Sequence, residues 1–126
     1  MKLRTHSTCP ICYSLDIFGD KWTLLVIRDI LIWRKTHYRD FLASAEGIST
    51  NILADRLKIL VENGLVTRED DPENGTQAIY RPTKNALALL PVLDAMSRWA
   101  LENGPKGLKL PTGTAGAEPK AKKRAR

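Results

Sequence analysis

Three groups of side chains in this 126-residue chain have the types and spacings to do chemistry. Thr50, Asn51, Asp55, Arg56 and Lys58 fall close together, and a helix would set Asn51, Asp55 and Lys58 on one side. Asn pairs bidentately with adenine, Asp accepts from cytosine N4, and each good contact is worth about 1–3 kcal/mol of base discrimination. Arg56 lies nearer the packed side, where it can hold a phosphate or an acid of its own chain. Arg34, Lys35, His37 and Arg39 form a second group, read either as phosphate clamps or as a solvated basic loop. His6, Cys9 and Cys12 form the third, an H-x2-C-x2-C pattern.

That pattern has several readings. Zinc would need four ligands, and only the distant His37 offers a fourth, so no metal is expected. A thiol switch at Cys9, with Cys12 as resolving partner, is the second reading: a helix N-terminus lowers a thiol pKa. Two inert thiols are the third. The chain carries no acid pair, no Ser/His/Asp set and no phosphate-binding glycine loop, so neither an enzyme nor a cofactor is expected.

The first group needs a helix to present it. Ser49 can cap one, and Leu53, Leu57, Leu60 and Val61 recur on its opposite face. Gly64 can end it in the left-handed conformation. Alone, this is also the pattern of any amphipathic surface helix. Its surroundings favour more. Cys9 to Gly19 reads as a short helix with proline in its first turn, and Asp20 caps a nearly all-apolar helix over Lys21 to Ile32, the central buried one. A polar connection, Arg34 to His37, with room for a one- or two-residue strand, leads to a helix over Tyr38 to Ser44. The short turn Ala45 to Ile48 then gives helix-turn-helix spacing. Leu65 to Asp70 and Gln77 to Arg81 are β-compatible runs around Asp71 to Thr76, whose Asp-Pro and Asn-Gly pairs are turn signals. Helix, turn, helix and hairpin is the order of a winged helix-turn-helix: mainly α, with a small β-hairpin.

Thr83 caps a last apolar region in which Pro91 forces a kink or a restart. Its apolar content exceeds what one small core requires. Pairing with the first helix across a dimer interface and packing within the monomer both accommodate it.

Residues 1–8 read as an N-terminal arm, 9–104 as the folded domain and 105–126 as a disordered basic tail. Seven of the twenty Lys and Arg residues, against one of the fourteen acids, lie from Pro105 onward, so the net charge of +6 belongs to the tail and the first 104 residues are neutral. A nucleic-acid surface on the domain must therefore come from segregated charge. The wing carries Glu69, Asp70, Asp71 and Glu73, which leaves Arg68, Asn74, Thr76 and Gln77 as its groups suited to DNA. No apolar run approaches the roughly 18 residues of a membrane span and no signal-peptide core follows Met1, so a soluble, cytoplasmic protein is expected.

Cys9-Pro10, Gly19-Asp20-Lys21-Trp22-Thr23-Leu24-Leu25-Val26-Ile27-Arg28-Asp29, Tyr38-Arg39-Asp40-Phe41-Leu42, Gly47-Ile48-Ser49, Leu53, Arg56-Leu57, Leu60, Gly64-Leu65-Val66, Tyr80, Thr83 and Pro91-Val92-Leu93 follow one another in an order that resembles the HxlR family of bacterial winged-helix transcription regulators. The resemblance implies a cytosolic homodimer whose terminal helices pair, binding double-stranded DNA at a near-palindromic operator with half-sites about 34 Å apart. Several members answer oxidants or electrophiles through a cysteine at the position that Cys9 matches. A repressor released by a thiol or small-molecule signal is the expectation. The acidic wing and Cys12 depart from the usual pattern. A thiol redox protein using Cys9 and Cys12, and a winged helix serving only protein contacts, are the competing classes.

Base reading by the helix and attraction by the tail separate experimentally. Asn51→Ala should change sequence preference in a binding-site selection, while deletion of residues 113–126 should weaken all DNA alike and flatten the salt dependence.

Overall fold

The computed structural model describes residues 7–112. Its elements run α1 (Pro10–Phe18), α2 (Lys21–Leu31), α3 (Tyr38–Leu42), α4 (Thr50–Glu62), β1 (Val66–Asp71), β2 (Asn74–Pro82), α5 (Lys84–Leu87) and α6 (Leu90–Asn103). The strands form one antiparallel hairpin, and the whole is the winged helix-turn-helix that the element order predicts.

Short polar side chains start the helices. Asp20 accepts the Thr23 amide at 3.1 Å, Ser49 the Ile52 amide at 3.2 Å and Thr83 the Ala86 amide at 3.4 Å, each satisfying an orphan donor of the first turn. Gly64 ends α4 at φ +74°, and the Leu65 amide donates back to the Leu60 carbonyl at 2.9 Å. That left-handed closure costs a glycine little, and it turns the chain from helix into hairpin within two residues. The core gathers on α2 and α4: Val26, Ile27 and Ile30 meet Leu53, Leu57 and Leu60, with Phe41, Leu65 and Ala86 around them. Phe41 also meets the Tyr80 ring edge-on, centroids 6.5 Å apart, which seats the hairpin on α3.

A buried acid organises the connection between α2 and α3. Asp29, 2% exposed, receives Arg28 on Oδ1 at 2.8 Å and the Lys35 ammonium on Oδ2 at 3.4 Å; the Ser44 hydroxyl also donates to Oδ2. The Lys35 amide closes the loop on the Asp29 carbonyl at 3.1 Å, and Arg34 takes φ +55° to let the chain fold back this far. Arg28 reaches on to Glu46 with two bonds of 2.8 and 2.9 Å, tying α2 to the turn ahead of α4.

Several expectations change in detail. The third helix stops at Leu42: the Ala43 and Ser44 amides tighten to i→i−3 bonds on the Asp40 and Phe41 carbonyls, at 3.3 and 3.1 Å, and the Ser44 hydroxyl turns to Asp29. Of the expected turn segment Asp71 to Thr76, the hairpin reverses at Pro72-Glu73: proline pre-sets the turn, Asp71 Oδ1 accepts the Glu73 amide at 2.9 Å, and Asn74 already opposes Asp71 in the ladder. The surplus residues form an irregularity in β2 next to Asp70 and Asp71. Thr36 forms no strand; its carbonyl accepts the Tyr80 amide at 2.8 Å. Pro91 produces a restart, sitting in the first turn of α6 where its missing amide costs nothing. Residues 105–112 do not run away from the domain. They fold back beside α2 and α6, and the Trp33 indole donates to the Thr112 carbonyl at 3.1 Å. The arm to His6 and the tail from residue 113 lie outside the described residues.

Asp29→Ala should cost about 3–5 kcal/mol, because it strands a buried ammonium. Urea denaturation should show that adding Lys35→Met to Asp29→Ala restores part of the loss.

Candidate nucleic-acid interface

The polar face of α4 emerges as the sequence predicts. Thr50, Asn51, Asp55 and Lys58 are exposed, together with Ser49 at the cap, while the opposite face is sealed in the core. Tyr38, not foreseen in this role, donates its hydroxyl to the Thr50 carbonyl at 2.6 Å and pins the start of α4 to α3. A tyrosine at the first position of a helix gives no sign in sequence of which carbonyl it will reach.

Beside this face, α3 and the hairpin enclose an open cleft of about 350 Å³. His37, Arg39, Arg68, Thr76 and Gln77 line it, so the structure brings together five side chains drawn from two separate parts of the sequence. Arg39 and Arg68 form no ion pair among the described residues, and neither does Lys58 on α4. Like-charged groups converging on one concave surface raise the local positive potential even in a neutral domain.

The wing acids are partly disarmed. Glu69 binds Arg81 at 2.9 Å, and Asp71 binds His37 Nε2 at 2.9 Å. The His37 imidazole, followed by the Glu73 amide, holds the Asp71 carboxyl below its usual range. The same contact ties the wing tip to the cap of α3, with the Thr36 hydroxyl 2.9 Å from the other ring nitrogen. His37 thus serves the architecture of the cleft as well as lining it.

Three residues expected at DNA are placed differently. Lys35 is a correction: it is 6% exposed and its ammonium is spent on Asp29 and Ser44, because the αL turn at Arg34 swings it inward. Arg56 is engaged with acids of its own chain, Asp20 at 3.0 Å and the adjoining Asp55, and so bolts α4 to the cap of α2. Arg34 is exposed but lines a different hollow, against α5 and α6. Partial burial disfavours the Asp20 charge, yet the Thr23 hydroxyl and the Arg56 guanidinium outweigh it and hold the carboxyl below its ordinary value.

Cys9 occupies the N-cap position of α1, and Cys9 and Cys12 are exposed free thiols. The Cys12 and Ile11 amides, aimed at Cys9 from the open first turn, lower its thiol pKa, although neither closes a full capping bond. His37, once the fourth candidate zinc ligand, is committed to Asp71.

Fold and surface together define a winged helix-turn-helix regulator. The profile described as HxlR-like helix-turn-helix matches residues 17–107, and the chain belongs to that family. The HTH-type transcriptional regulator YodB of Bacillus subtilis is 31% identical over 96 residues, covering 75% of this chain and 85% of its own. The structure of its reduced form superposes with a TM-score of 0.64 at 29% identity, over 81% of this chain and 100% of that one, and YodB has also been solved bound to quinone. The uncharacterized HTH-type transcriptional regulator YvaP of the same organism is 30% identical over 89 residues, 71% of this chain and 82% of its own. The crystal structure of PA1607 matches with a TM-score of 0.71 at 32% identity, over 83% of this chain and 73% of that one. The protein is accordingly a transcriptional regulator of the winged-helix type. No helix among the described residues is long and apolar enough to cross a membrane.

The Asp20 pairing makes an acid-side prediction. A depressed folded-state pKa stabilises the protein above the unfolded carboxyl value, near 3.9, and that stabilisation fades as pH falls through the folded value. Denaturation of wild type and Asp20→Asn should therefore differ most at neutral pH and converge below about pH 3.

Proposed function

We propose that the protein is a cytoplasmic repressor that binds a near-palindromic operator as a homodimer, with α4 in the major groove and the cleft beside it on the phosphates. The observation that carries this reading is the exposed face of Thr50, Asn51 and Lys58 standing next to uncommitted Arg39 and Arg68. In this reading Asn51 and Thr50 read bases, Arg39, His37, Arg68 and Lys58 hold phosphates, and Thr76 and Gln77 follow the backbone along the wing. Asp55 faces the groove with part of its charge already offset by Arg56. The tail adds attraction that falls with salt and does not depend on sequence.

Support for pairing comes from α6, which buries no residue within the single chain. Met96 and Trp99 are 50% and 66% exposed on it, and Ile11 and Leu15 of α1 are 70% and 57% exposed. Covering such a surface is what a dimer interface does. Cys9 is the signal receiver. Its lowered pKa favours the thiolate, which reacts with a peroxide or a quinone, and its place on α1 carries the modification to the proposed interface. The quinone-bound form of YodB, 28% identical in that structure, supports the electrophile class.

Footprinting on genomic fragments at physiological salt, with the reduced full chain, should reveal protected sites with two half-sites about one helical turn, ~34 Å, apart. Mild peroxide should abolish protection in wild type and spare it in Cys9→Ser. Equal loss in both would remove Cys9 as the receiver, and no protected site at all would favour a protein-contact role. Turnover of a disulfide substrate that disappears in Cys12→Ser would instead make the chain a redox enzyme.

A further inference from the structure

The basic run is divided by the fold, and one part of it faces away from the DNA cleft. Arg34 lines a separate open hollow of about 450 Å³, within the size range of small-molecule sites, roughly 300–1,000 Å³. Its apolar wall is made by Ile30 and Leu31 at the end of α2, Pro82 at the end of β2, and Leu87 and Leu90 across the α5 to α6 restart. Leu87 and Leu90 are 48% and 40% exposed there.

The guanidinium of Arg34 forms no ion pair or hydrogen bond among the described residues. Arg81 also borders the hollow but is engaged by Glu69 at 2.9 Å, and the Lys35 ammonium is engaged by Asp29 and Ser44. One uncommitted cation therefore stands over an apolar wall. Its backbone is in the left-handed region at φ +55°, where a side-chain-bearing residue costs about 1 kcal/mol that glycine would not. The turn that sends Lys35 inward to Asp29 thus leaves the Arg34 guanidinium outward, over the apolar wall.

We infer that this hollow binds an organic carboxylate with a small apolar body, of the alkylbenzoate kind. The carboxylate pairs with the planar fork of Arg34, and the body lies against Leu31, Leu87 and Leu90. The position also suits regulation. Arg34 is followed by Lys35, which enters the Asp29 cluster, and by Thr36, whose carbonyl accepts the Tyr80 amide of β2 at 2.8 Å. Seating an anion on Arg34 therefore acts on the connection that carries both α3 and the hairpin. This regulatory consequence rests on the DNA-binding reading; the binding itself does not.

The test uses 4-ethylbenzoate and its neutral counterpart 4-ethylbenzyl alcohol, titrated without DNA into the ¹⁵N-labelled full chain at constant ionic strength. Saturable shifts from the acid alone, centred on the amides of residues 30–36, Leu87 and Leu90, are expected. Arg34→Gln should weaken them by about tenfold or more, the usual loss for a charged hydrogen-bonded pair. Arg34→Gly, whose backbone prefers this conformation, should fold at least as stably and lose the site too, whereas Lys84→Gln should bind as wild type. Equal binding of the alcohol, unchanged affinity in Arg34→Gln, or shifts scattered over all basic surfaces would overturn the assignment, as would no shift up to the acid's solubility limit. Because no DNA is present, failure here is distinguishable from failure to find an operator.

Discussion

The interaction on which the rest of the structure depends is the buried carboxylate of Asp29. An acid at 2% exposure is tolerable only if its charge is met by fixed partners, and here they come from three places: Arg28 on its own helix, Lys35 beyond the helix end and Ser44 beyond α3. Each partner sets a piece of backbone. Lys35 determines how the chain leaves α2, Ser44 holds the segment just after α3, and Arg28, through Glu46, fixes where the turn into α4 lies. The Trp33 ring packs 4.8 Å from the Arg28 guanidinium and adds the returning segment 105–112 to the same cluster. An ionic cluster is geometrically demanding in a way that an apolar contact is not, and so it suits a place where two short helices must keep a defined angle.

Charge on the surface follows from what that cluster and its neighbours consume. The domain up to residue 104 has as many acids as bases, and several bases are used internally: Arg28 and Lys35 at Asp29, Arg56 at Asp20, Arg81 at Glu69. What remains uncommitted among the described residues includes Arg39 and Arg68 in the cleft between α3 and the hairpin, Lys58 in the hollow that Arg68 also lines against α4, and Arg34 on a separate hollow. A neutral domain can thus display a basic surface, because pairing removes opposite charges from some regions and leaves single-sign groups in others. On the wing, His37 and Arg81 take two of the four acids out of play, which lessens the repulsion that their count alone implies.

The sequence by itself determined the order of elements, the cap residues and the two faces of α4. These are local matters: a 3.6-residue period, a hydroxyl three residues ahead of an amide and a glycine at a left-handed stop act over a single turn of chain. The same reasoning located Thr50, Asn51 and Lys58 on the open face, and the division of the helix from its core side needed no partner. Only the tertiary structure decided which cations stay available. Nothing in Arg34-Lys35 says that one side chain turns outward and its neighbour inward, since this depends on an αL turn that Asp29, six residues before Lys35, stabilises. Nor can Arg56 be matched to Asp20, Tyr38 to the Thr50 carbonyl or His37 to Asp71 from spacing, since those partners lie 36, 12 and 34 residues apart. Periodicity carries information along the chain, but pairing of charge is settled across it, by which surfaces the hydrophobic core brings face to face.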